Sequence, residues 1–471
     1  MSADSNAPVI VGAAAVQQRV DDPRAALEPL ALVRSAFEAA AADAGSTDLL
    51  DAASVVLLTQ GMWATANPAQ VAAPWSRDIR SVVADLGVLQ QTLIDRACTM
   101  VASGEAEVVF VGGGEAKYRS LRSQITGAPV SDTVTIGAPT ERLVPAAEII
   151  TAAEISRGLP VPVRQYALID TALRAAEGLT PAEHIDALAD LAQRFSDVAA
   201  GNPSAWGGTW RADSPMLAWP YTKLHCSQWN VDQAAGIIVC SASAAQGFGI
   251  ARDQWVFAHL GVESNLMVPL SHRAELHRSP AVAIAGRLVI GDVEHLDLYS
   301  CFPAAVRVQA AELGIDPNRQ LTVTGGMTFA GGPLNNYSLQ SLVKMVEVLR
   351  ADPGSRGMVT NISGMLTKFG LSVWSTTPPS NPFEAVDITN EVRAATGTVP
   401  FDPDHVGRAS VASYTVVFDH GTPVQGIVLA DTRAGTRVLA TTSDRAVMAD
   451  MTTTDWCGRQ ITATGPTFTA A

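Results

Sequence analysis

The side chains of this sequence that are suited to chemistry are few and widely spaced. His225 and Cys226 are neighbours, as in some nucleophile pairs, but adjacent residues on a strand point to opposite faces of a sheet. There is no phosphate-binding GxxxxGK(S/T), no zinc-binding HExxH and no GxSxG serine motif. The cysteines lack the CxxC spacing of metal sites: Cys98, Cys226, Cys240, Cys301 and Cys457. These patterns predict no metal site and no adjacent His-Cys catalytic pair.

Length and composition indicate a packed protein of more than one domain. The 471 residues exceed the ~250–300 at which single cores usually divide. Apolar residues make up 47% and charged residues 17%, and the net charge is −14, which argues against nucleic-acid and anionic-membrane partners. No run approaches the ~18 apolar residues of a membrane span. Scattered cysteines fit a reducing compartment, so we predict a cytoplasmic protein.

The elements that must position any site alternate between strands and helices, as in parallel sheets with crossover helices. Strands are predicted at residues 8–16, 54–60, 107–113, 231–244, 255–264, 295–302 and 321–326, with helices at 28–44, 85–103, 303–313 and 338–350. From about 115 to 225 helices dominate, and Thr180 and Glu183 form a capping box there. Residues 380–407 are interpreted as a linker. Short strands at hairpin spacing follow, which indicates a small barrel or sandwich.

Several segments, in this order along the chain, resemble the thiolase superfamily. The helix and strand ending in GEAEVVFVGGGEA (104–116) are similar to the thiolase nucleophile helix and its following strand. YSCF (299–302) resembles the HDCF box of sterol-carrier-protein-type thiolases, and TVTGGMTFAGGPLNNY (322–337) the Gly-His-Pro stretch. VTNISGMLTKFGLSVWSTTPP (359–379) corresponds to the second cysteine loop. RFSDVAAGNPSAW and YTKLHCSQWNVDQAA are similar to actinobacterial type 1 thiolase-like proteins.

The resemblance implies an α/β thiolase fold of two similar halves, layered αβαβα, with a helical loop-domain insertion and a small all-β, barrel-like C-terminal domain. We predict an N-terminal half at residues 1–260 that includes the insertion at about 115–225. The second half spans 261–395, and an additional domain related to oligonucleotide/oligosaccharide-binding (OB) barrels spans 396–471. Its five Arg and seven Asp argue against nucleic acid as its ligand.

The resemblance also implies where catalysis would take place and which side chains are missing there. The nucleophilic cysteine corresponds to Gly87, the Gly-His-Pro histidine to Gly332, and the second cysteine to Asn361. None of these side chains can accept an acyl group or exchange a proton. Tyr299 replaces the HDCF histidine and is the one catalytic candidate, because its hydroxyl can orient a carbonyl. Cys98 lies 11 residues beyond Gly87 and is interpreted as a packing residue.

The family relationship implies an acetyl-CoA acetyltransferase-like ancestry, but we predict a pseudoenzyme that does not act as a thiolase. Its expected ligand is coenzyme A or an acyl-CoA in lipid or sterol metabolism, with no cofactor required. Lys117, Arg119 and Arg122 are candidates for contacts with CoA phosphates. The alternatives are an aldolase-like or acyltransferase activity that uses Tyr299, or a scaffold for active thiolases and other proteins of lipid metabolism.

Overall fold

Buried apolar strands and amphipathic helices alternate along the computed structural model, which describes residues 5–75, 79–289 and 291–471. The strands are β1 (Pro8–Gln17), β2 (Val55–Thr59), β3 (Arg80–Ala84), β4 (Val108–Ala116), β5 (Glu141–Leu143), β6 (Met216–Ala218), β7 (Tyr221–Thr222), β8 (Asp232–Ser241), β9 (Val256–Asn265), β10 (His295–Asp297), β11 (Arg356–Ile362), β12 (Lys368–Ser375), β13 (Glu384–Asp387), β14 (Val406–Asp419), β15 (Thr422–Asp431), β16 (Arg437–Thr442), β17 (Gln460–Thr464) and β18 (Thr467–Ala470).

The helices connect these strands and cover their faces. They are α1 (Pro29–Asp43), α2 (Asp48–Ala52), α3 (Ala69–Ala72), α4 (Gln90–Ala102), α5 (Lys117–Thr126), α6 (Ala152–Ser156), α7 (Pro162–Glu177), α8 (Pro181–Ala200), α9 (Ala242–Gly247), α10 (Pro280–Gly286), α11 (Pro303–Leu313), α12 (Gly326–Phe329), α13 (Tyr337–Ala351), α14 (Thr389–Ala395) and α15 (Arg445–Thr453). The capping box of α8 is confirmed, since Thr180 Oγ1 accepts from the Glu183 amide and Glu183 Oε2 from the Thr180 amide.

The main sheet has the strand order β10-β11-β12-β9-β1-β8-β4-β2-β3-β5, and β13 pairs with β9. Helices α4 and α13 lie in the middle, because each contacts strands of both halves of the chain. Outside them, α1 packs on β1, β8 and β4, and α10 packs on β9 and β12. This layering of helix, strands, central helices, strands and helix confirms the predicted thiolase fold.

The C-terminal strands form a closed five-stranded barrel in the order β14-β15-β16-β18-β17 and back to β14. Its interior is apolar and includes the buried residues Tyr414, Met451 and Trp456. The predicted barrel is therefore confirmed. Helix α15 lies between β16 and β17, within a region for which the sequence pattern indicated strands alone.

The barrel is joined to the helical insertion by buried polar contacts. Strand β6 of the insertion pairs with β14, and the Trp219 amide donates to the Val416 carbonyl over 2.8 Å. The Thr171 hydroxyl on α7 lies 2.7 Å from Ser413 Oγ and 2.9 Å from the Tyr414 carbonyl oxygen. Hydrogen bonds formed away from water hold the two surfaces in one register. The additional domain thus packs against the body of the protein.

Two predicted segments differ in the structure. Residues 321–325 form a loop that leads into α12, and the buried Asp297 carboxylate accepts from the amides of Val323 and Thr324, at 2.9 and 3.1 Å, in place of a neighbouring strand. The proposed linker at 380–407 contains β13, which extends the sheet by pairing with β9, and α14, which buries Val392. In both cases the segment bonds to residues that are remote in the sequence: Asp297 for the loop, and strand β9 for β13.

Candidate functional site

Gly87 occupies a turn just before helix α4. Its φ of +97° lies in the left-handed region that glycine adopts without steric cost. A Cβ added there would lie 3.3 Å from Pro145 Cγ, so the turn is covered by the insertion. The Lys368 ammonium donates a hydrogen bond to the Gly87 carbonyl oxygen. The space beside Gly87 is thus bounded by a proline ring and an amine.

Asn361 lies on β11 and reaches helix α4. Its Nδ2 donates to Gln91 Oε1 over 2.9 Å, and its own Oδ1 has no partner among the described residues. The approach requires Gly370 on β12, because a Cβ there would lie 2.7 Å from the Gln91 Cβ. This contact joins the first half of the fold to the second.

Tyr299 follows β10 and is held by its backbone. Its amide donates to Thr360 Oγ1 over 2.7 Å, and its carbonyl accepts from Gln309 Nε2 over 2.8 Å. The ring is 8% exposed, and the hydroxyl has no hydrogen-bond partner among the residues that the structure describes. Burial raises the pKa of Tyr299 above its usual value, so the hydroxyl stays protonated and acts as a hydrogen-bond donor.

Gly332, predicted to correspond to the family's histidine, is closely packed. Its amide donates to the Gln228 carbonyl over 2.9 Å, and a Cβ at this position would lie 3.2 Å from both Met327 Cε and Ser227 Cβ. Ser227 Oγ in turn donates to the Cys301 carbonyl over 3.0 Å. Gly332 is therefore connected through Ser227 to the segment that carries Tyr299.

The four positions come together in two linked groups. Gly87 and Asn361 lie about the first turn of α4, whereas Tyr299 and Gly332 lie about Ser227. Thr360 connects the groups, because it precedes Asn361 on β11 and accepts the Tyr299 amide. The order of motifs in the sequence thus corresponds to one location in the fold.

The comparisons with known proteins agree with this geometry. Residues 387–464 match the family model described as the thiolase-like protein type 1 additional C-terminal domain. The structure of a monomeric SCP2-thiolase-like protein type 1 from Mycobacterium smegmatis is similar over 100% of both chains, with 25% identity and a TM-score of 0.84. The chain therefore carries this additional domain and has a thiolase-like fold over its full length. No curated protein sequence matches it.

Two more distant structures share the thiolase fold. The acetyl-CoA acetyltransferase from Syntrophomonas wolfei is 14% identical and covers 79% of this chain and 100% of its own, with a TM-score of 0.56. The Ltp2-ChsH2(DUF35) aldolase is 19% identical and covers 79% of this chain and 98% of its own, with a TM-score of 0.60. At these identities the similarity concerns the fold alone.

Buried polar side chains without partners lie near the thiolase-like site. Neither Oδ1 nor Nδ2 of Asn336 has a hydrogen bond among the described residues, and the side chain is 1% exposed. Asn336 Oδ1 would lie 2.6 Å from a Cβ at Gly113, so the glycine leaves room for it. Unpaired buried polar groups are costly and commonly mark water or ligand sites. The sequence analysis missed Asn336, although the Asn-Asn pair at 335–336 was a visible signal.

The cations predicted to bind CoA phosphates already have partners. Arg119 is 7% exposed and donates to Asp132 Oδ1 over 2.9 Å, and Arg122 Nε lies 3.5 Å from Asp21 Oδ1. The Lys117 ammonium lies 4.4 Å from the centre of the Trp229 ring. A phosphate at Arg119 would have to replace the bond of this side chain to Asp132. Binding of CoA phosphates by Lys117, Arg119 and Arg122 stays a prediction.

His225 and Cys226 do not lie on a strand as assumed from the sequence. His225 ends a 3-10 helix, Lys223–His225, and its Nδ1 accepts from the Thr222 amide over 3.2 Å. Burial lowers the pKa of His225 to about 4, and burial raises the pKa values of the Cys226 and Cys301 thiols above their usual range. Cys98 is fully buried on α4. Buried thiols of this kind are poor nucleophiles, because the thiolate is the reactive form.

A cavity of about 30 Å³ borders Ser300, His225 and Met327, and none of Gly87, Tyr299, Gly332 and Asn361 lines it. Within the described parts of the chain, no group of three or more His, Cys, Asp and Glu side chains is placed to hold a metal ion. In those same parts, no helix has the length and apolar character to cross a bilayer.

Proposed function

We propose that this chain is a non-thiolytic member of the thiolase superfamily that binds an acyl-CoA or a related thioester in lipid or sterol metabolism. The observation that carries the proposal is the occupancy of the family's catalytic positions by Gly87, Gly332 and Asn361. No side chain at these three positions can take up an acyl group or exchange a proton. A thioester bound there would be held without the usual cleavage.

The local geometry supports loss of the imidazole function at Gly332. Met327 Cε and Ser227 Cβ both lie 3.2 Å from the place of a Cβ, so a histidine ring would displace its neighbours. The turn at Gly87 has φ of +97°, which costs an L-residue roughly 1–2 kcal/mol. We therefore expect that placing histidine at position 332 and cysteine at position 87 would not restore thiolysis.

Partnerless amide groups support binding of a carbonyl compound. Asn336 Nδ2 is a buried donor and Asn361 Oδ1 a buried acceptor, and both lack partners among the described residues. A thioester presents a carbonyl acceptor, and the adjoining pantetheine arm presents amide donors. Ligand binding would satisfy groups that otherwise destabilise the fold by about 1–3 kcal/mol each.

The test is calorimetric titration of the full chain with CoA, acetyl-CoA and a longer acyl-CoA. Binding that weakens about tenfold in Asn336→Ala and is unchanged in Asn390→Ala would support the site. Asn390 is the matched control, because it is exposed and its side chain already accepts a hydrogen bond from Arg393. Absence of heat with all three ligands at millimolar concentration would reject the proposal.

A second candidate function is carbon–carbon bond cleavage of a β-hydroxyacyl thioester that depends on Tyr299. It is favoured by the unpartnered hydroxyl of this buried tyrosine, which can donate to a substrate oxygen. The assay incubates the protein with β-hydroxyacyl-CoA and detects aldehyde or ketone. Turnover that Tyr299→Phe leaves unchanged would remove this side chain from the mechanism.

A further inference from the structure

Lysine is rare in this chain, and one lysine is buried. Of the 32 basic residues four are lysines: Lys117, Lys223, Lys344 and Lys368. Lys368 is 2% exposed, whereas Lys223 is exposed and the other two are half-buried. Arginine remains charged in proteins, whereas a buried lysine readily becomes a neutral amine. Lys368 is therefore the one buried basic side chain of this kind that could become a neutral nucleophile. An arginine at the same position would remain charged.

The Lys368 amine lies at the position that the family uses for its nucleophile. Lys368 begins β12 and extends toward α4, where its Nζ donates to the carbonyl oxygen of Gly87. Asn361, at the second catalytic position, is bonded to Gln91 one turn into the same helix. The nitrogen thus contacts Gly87, the residue that corresponds by resemblance to the thiolase nucleophile, and Asn361 reaches the first turn of the helix that follows it.

The surroundings of Lys368 weaken its preference for the ammonium form. Burial lowers the pKa of Lys368 to about 8, while the carboxylate of Glu263 opposes this shift. The start of α4 carries the positive end of the helix dipole, which also disfavours a cation. Glu263 is itself held by the Thr92 hydroxyl, and burial raises its pKa above the usual value. A proton acceptor of moderate strength is therefore close to the amine.

Residues of the insertion lie beside this amine. Pro145 lies 3.3 Å from the place of a Cβ at Gly87, and Ile149 Cδ1 lies 3.0 Å from the place of a Cβ at Gly364, in the turn that leads to Lys368. Val144 is 65% exposed and Gly364 is exposed. The surface of the protein therefore lies close to the amine on this side.

We propose that Lys368 is an acyl-accepting residue that captures the acyl group of a thioester as an amide. The nitrogen lone pair attacks the thioester carbonyl carbon, the C–S bond breaks, and the sulfur leaves with the bonding electrons. The proton lost from nitrogen passes through Glu263 to the leaving thiolate. The products are N-acyl-lysine and a free thiol. This inference rests on the proposed thioester binding.

The test is acetylation of the intact wild-type chain by two probes, acetyl-CoA and S-acetyl-N-acetylcysteamine, followed by peptide mass spectrometry of all four lysines. With a pKa of about 8, Lys368 at pH 8 has about 100-fold more neutral amine than a lysine with the usual pKa of ~10.4. We expect Lys368 to be acetylated at least tenfold faster than Lys223, with a rate that levels off above pH 8–9. Urea-unfolded chain should lose this selectivity.

Controls separate this inference from the proposed function. Lys368→Arg should abolish the fast adduct, and Lys344→Arg should retain it. If CoA binds by calorimetry and neither probe marks Lys368 faster than Lys223, the acyl-accepting role is overturned and thioester binding stands. If the small thioester marks Lys368 selectively while CoA does not bind, the amine is confirmed as reactive and the CoA proposal fails.

Discussion

Replacement of Lys368 by methionine should change how stability depends on pH. The folded-state pKa of Lys368 is lowered to about 8 from an ordinary value of 10.5. Between these two values the unfolded chain binds more protons than the folded chain, so the stability of the wild type rises with pH in that window. Below pH 8 Lys368 is charged in the folded chain, and its burial lowers the free energy of unfolding by the full amount. Above about pH 10.5 the lysine is neutral in both states, and this loss of stability is absent.

The size of the effect follows from the shift. A difference of about 2.5 pKa units corresponds to about 3 kcal/mol between low and high pH, of which about 2 kcal/mol is gained by pH 9.5. Methionine has a similar length and no charge, so the Lys368→Met variant lacks this term. The free energy of unfolding of wild type minus that of the variant should therefore increase by about 2 kcal/mol from pH 7 to 9.5.

The assay is urea unfolding of both proteins across this pH range. Other titrating groups are common to both chains, so their contributions cancel in the difference. Lys344→Met is the matched control, because Lys344 pairs with Glu347 near the surface of α13, and its difference curve should be flat. A flat curve for Lys368→Met as well would show that the buried amine has an ordinary pKa, and the electrostatic reasoning would be refuted.

Three further predictions concern other parts of the fold. Gly87→Cys should not restore cleavage of acetoacetyl-CoA and should lower stability by roughly 1–2 kcal/mol, because φ is +97° there; thiolytic turnover of the variant would contradict this. Asp297→Asn should destabilise the fold by about 3 kcal/mol or more, because the carboxylate accepts from Thr322 Oγ1 over 2.6 Å and from the Val323 amide. Urea unfolding measures this loss of stability, and a loss no larger than that caused by Asp352→Asn at an exposed position would refute the estimate. Thr171→Val should cost about 1–3 kcal/mol and increase hydrogen exchange on β14, and unchanged exchange there would argue against the contact between the insertion and the barrel.

The elements that sequence analysis predicted well are those whose signals are local. The capping box of α8 involves residues three apart, and four of the five barrel strands, β14 to β17, follow from alternation and hairpin spacing. By contrast, the sequence pattern predicts a strand at 321–326. In the structure the backbone amides there donate to the carboxylate of Asp297, more than 20 residues away, and to the hydroxyls of Thr322 and Thr324. Helix α15 was missed because its short apolar stripe lies among strand-forming segments.

The residues of the candidate site also fall into two groups: those that the sequence alone indicates, and those that only the folded structure reveals. The residue types at Gly87, Tyr299, Gly332 and Asn361 are properties of the sequence, and their correspondence to thiolase motifs required no coordinates. Lys368 was overlooked, because its partner Gly87 is 281 residues away and nothing local indicates the contact. Likewise, Arg119 read as a free cation, and its bond to Asp132 depends on how the loop after α5 folds back.

The sequence alone determined which side chains are present: glycine at 87 and 332, asparagine at 361, four lysines, and the alternation of apolar segments that builds a thiolase-like body with a barrel. The tertiary structure decided which of those atoms meet and which are removed from water. Side-chain identity and local periodicity are encoded by neighbours along the chain, whereas contacts and pKa values depend on packing between distant elements. The amine beside Gly87 exists as a feature of the protein only because α4, β12 and the insertion pack around it.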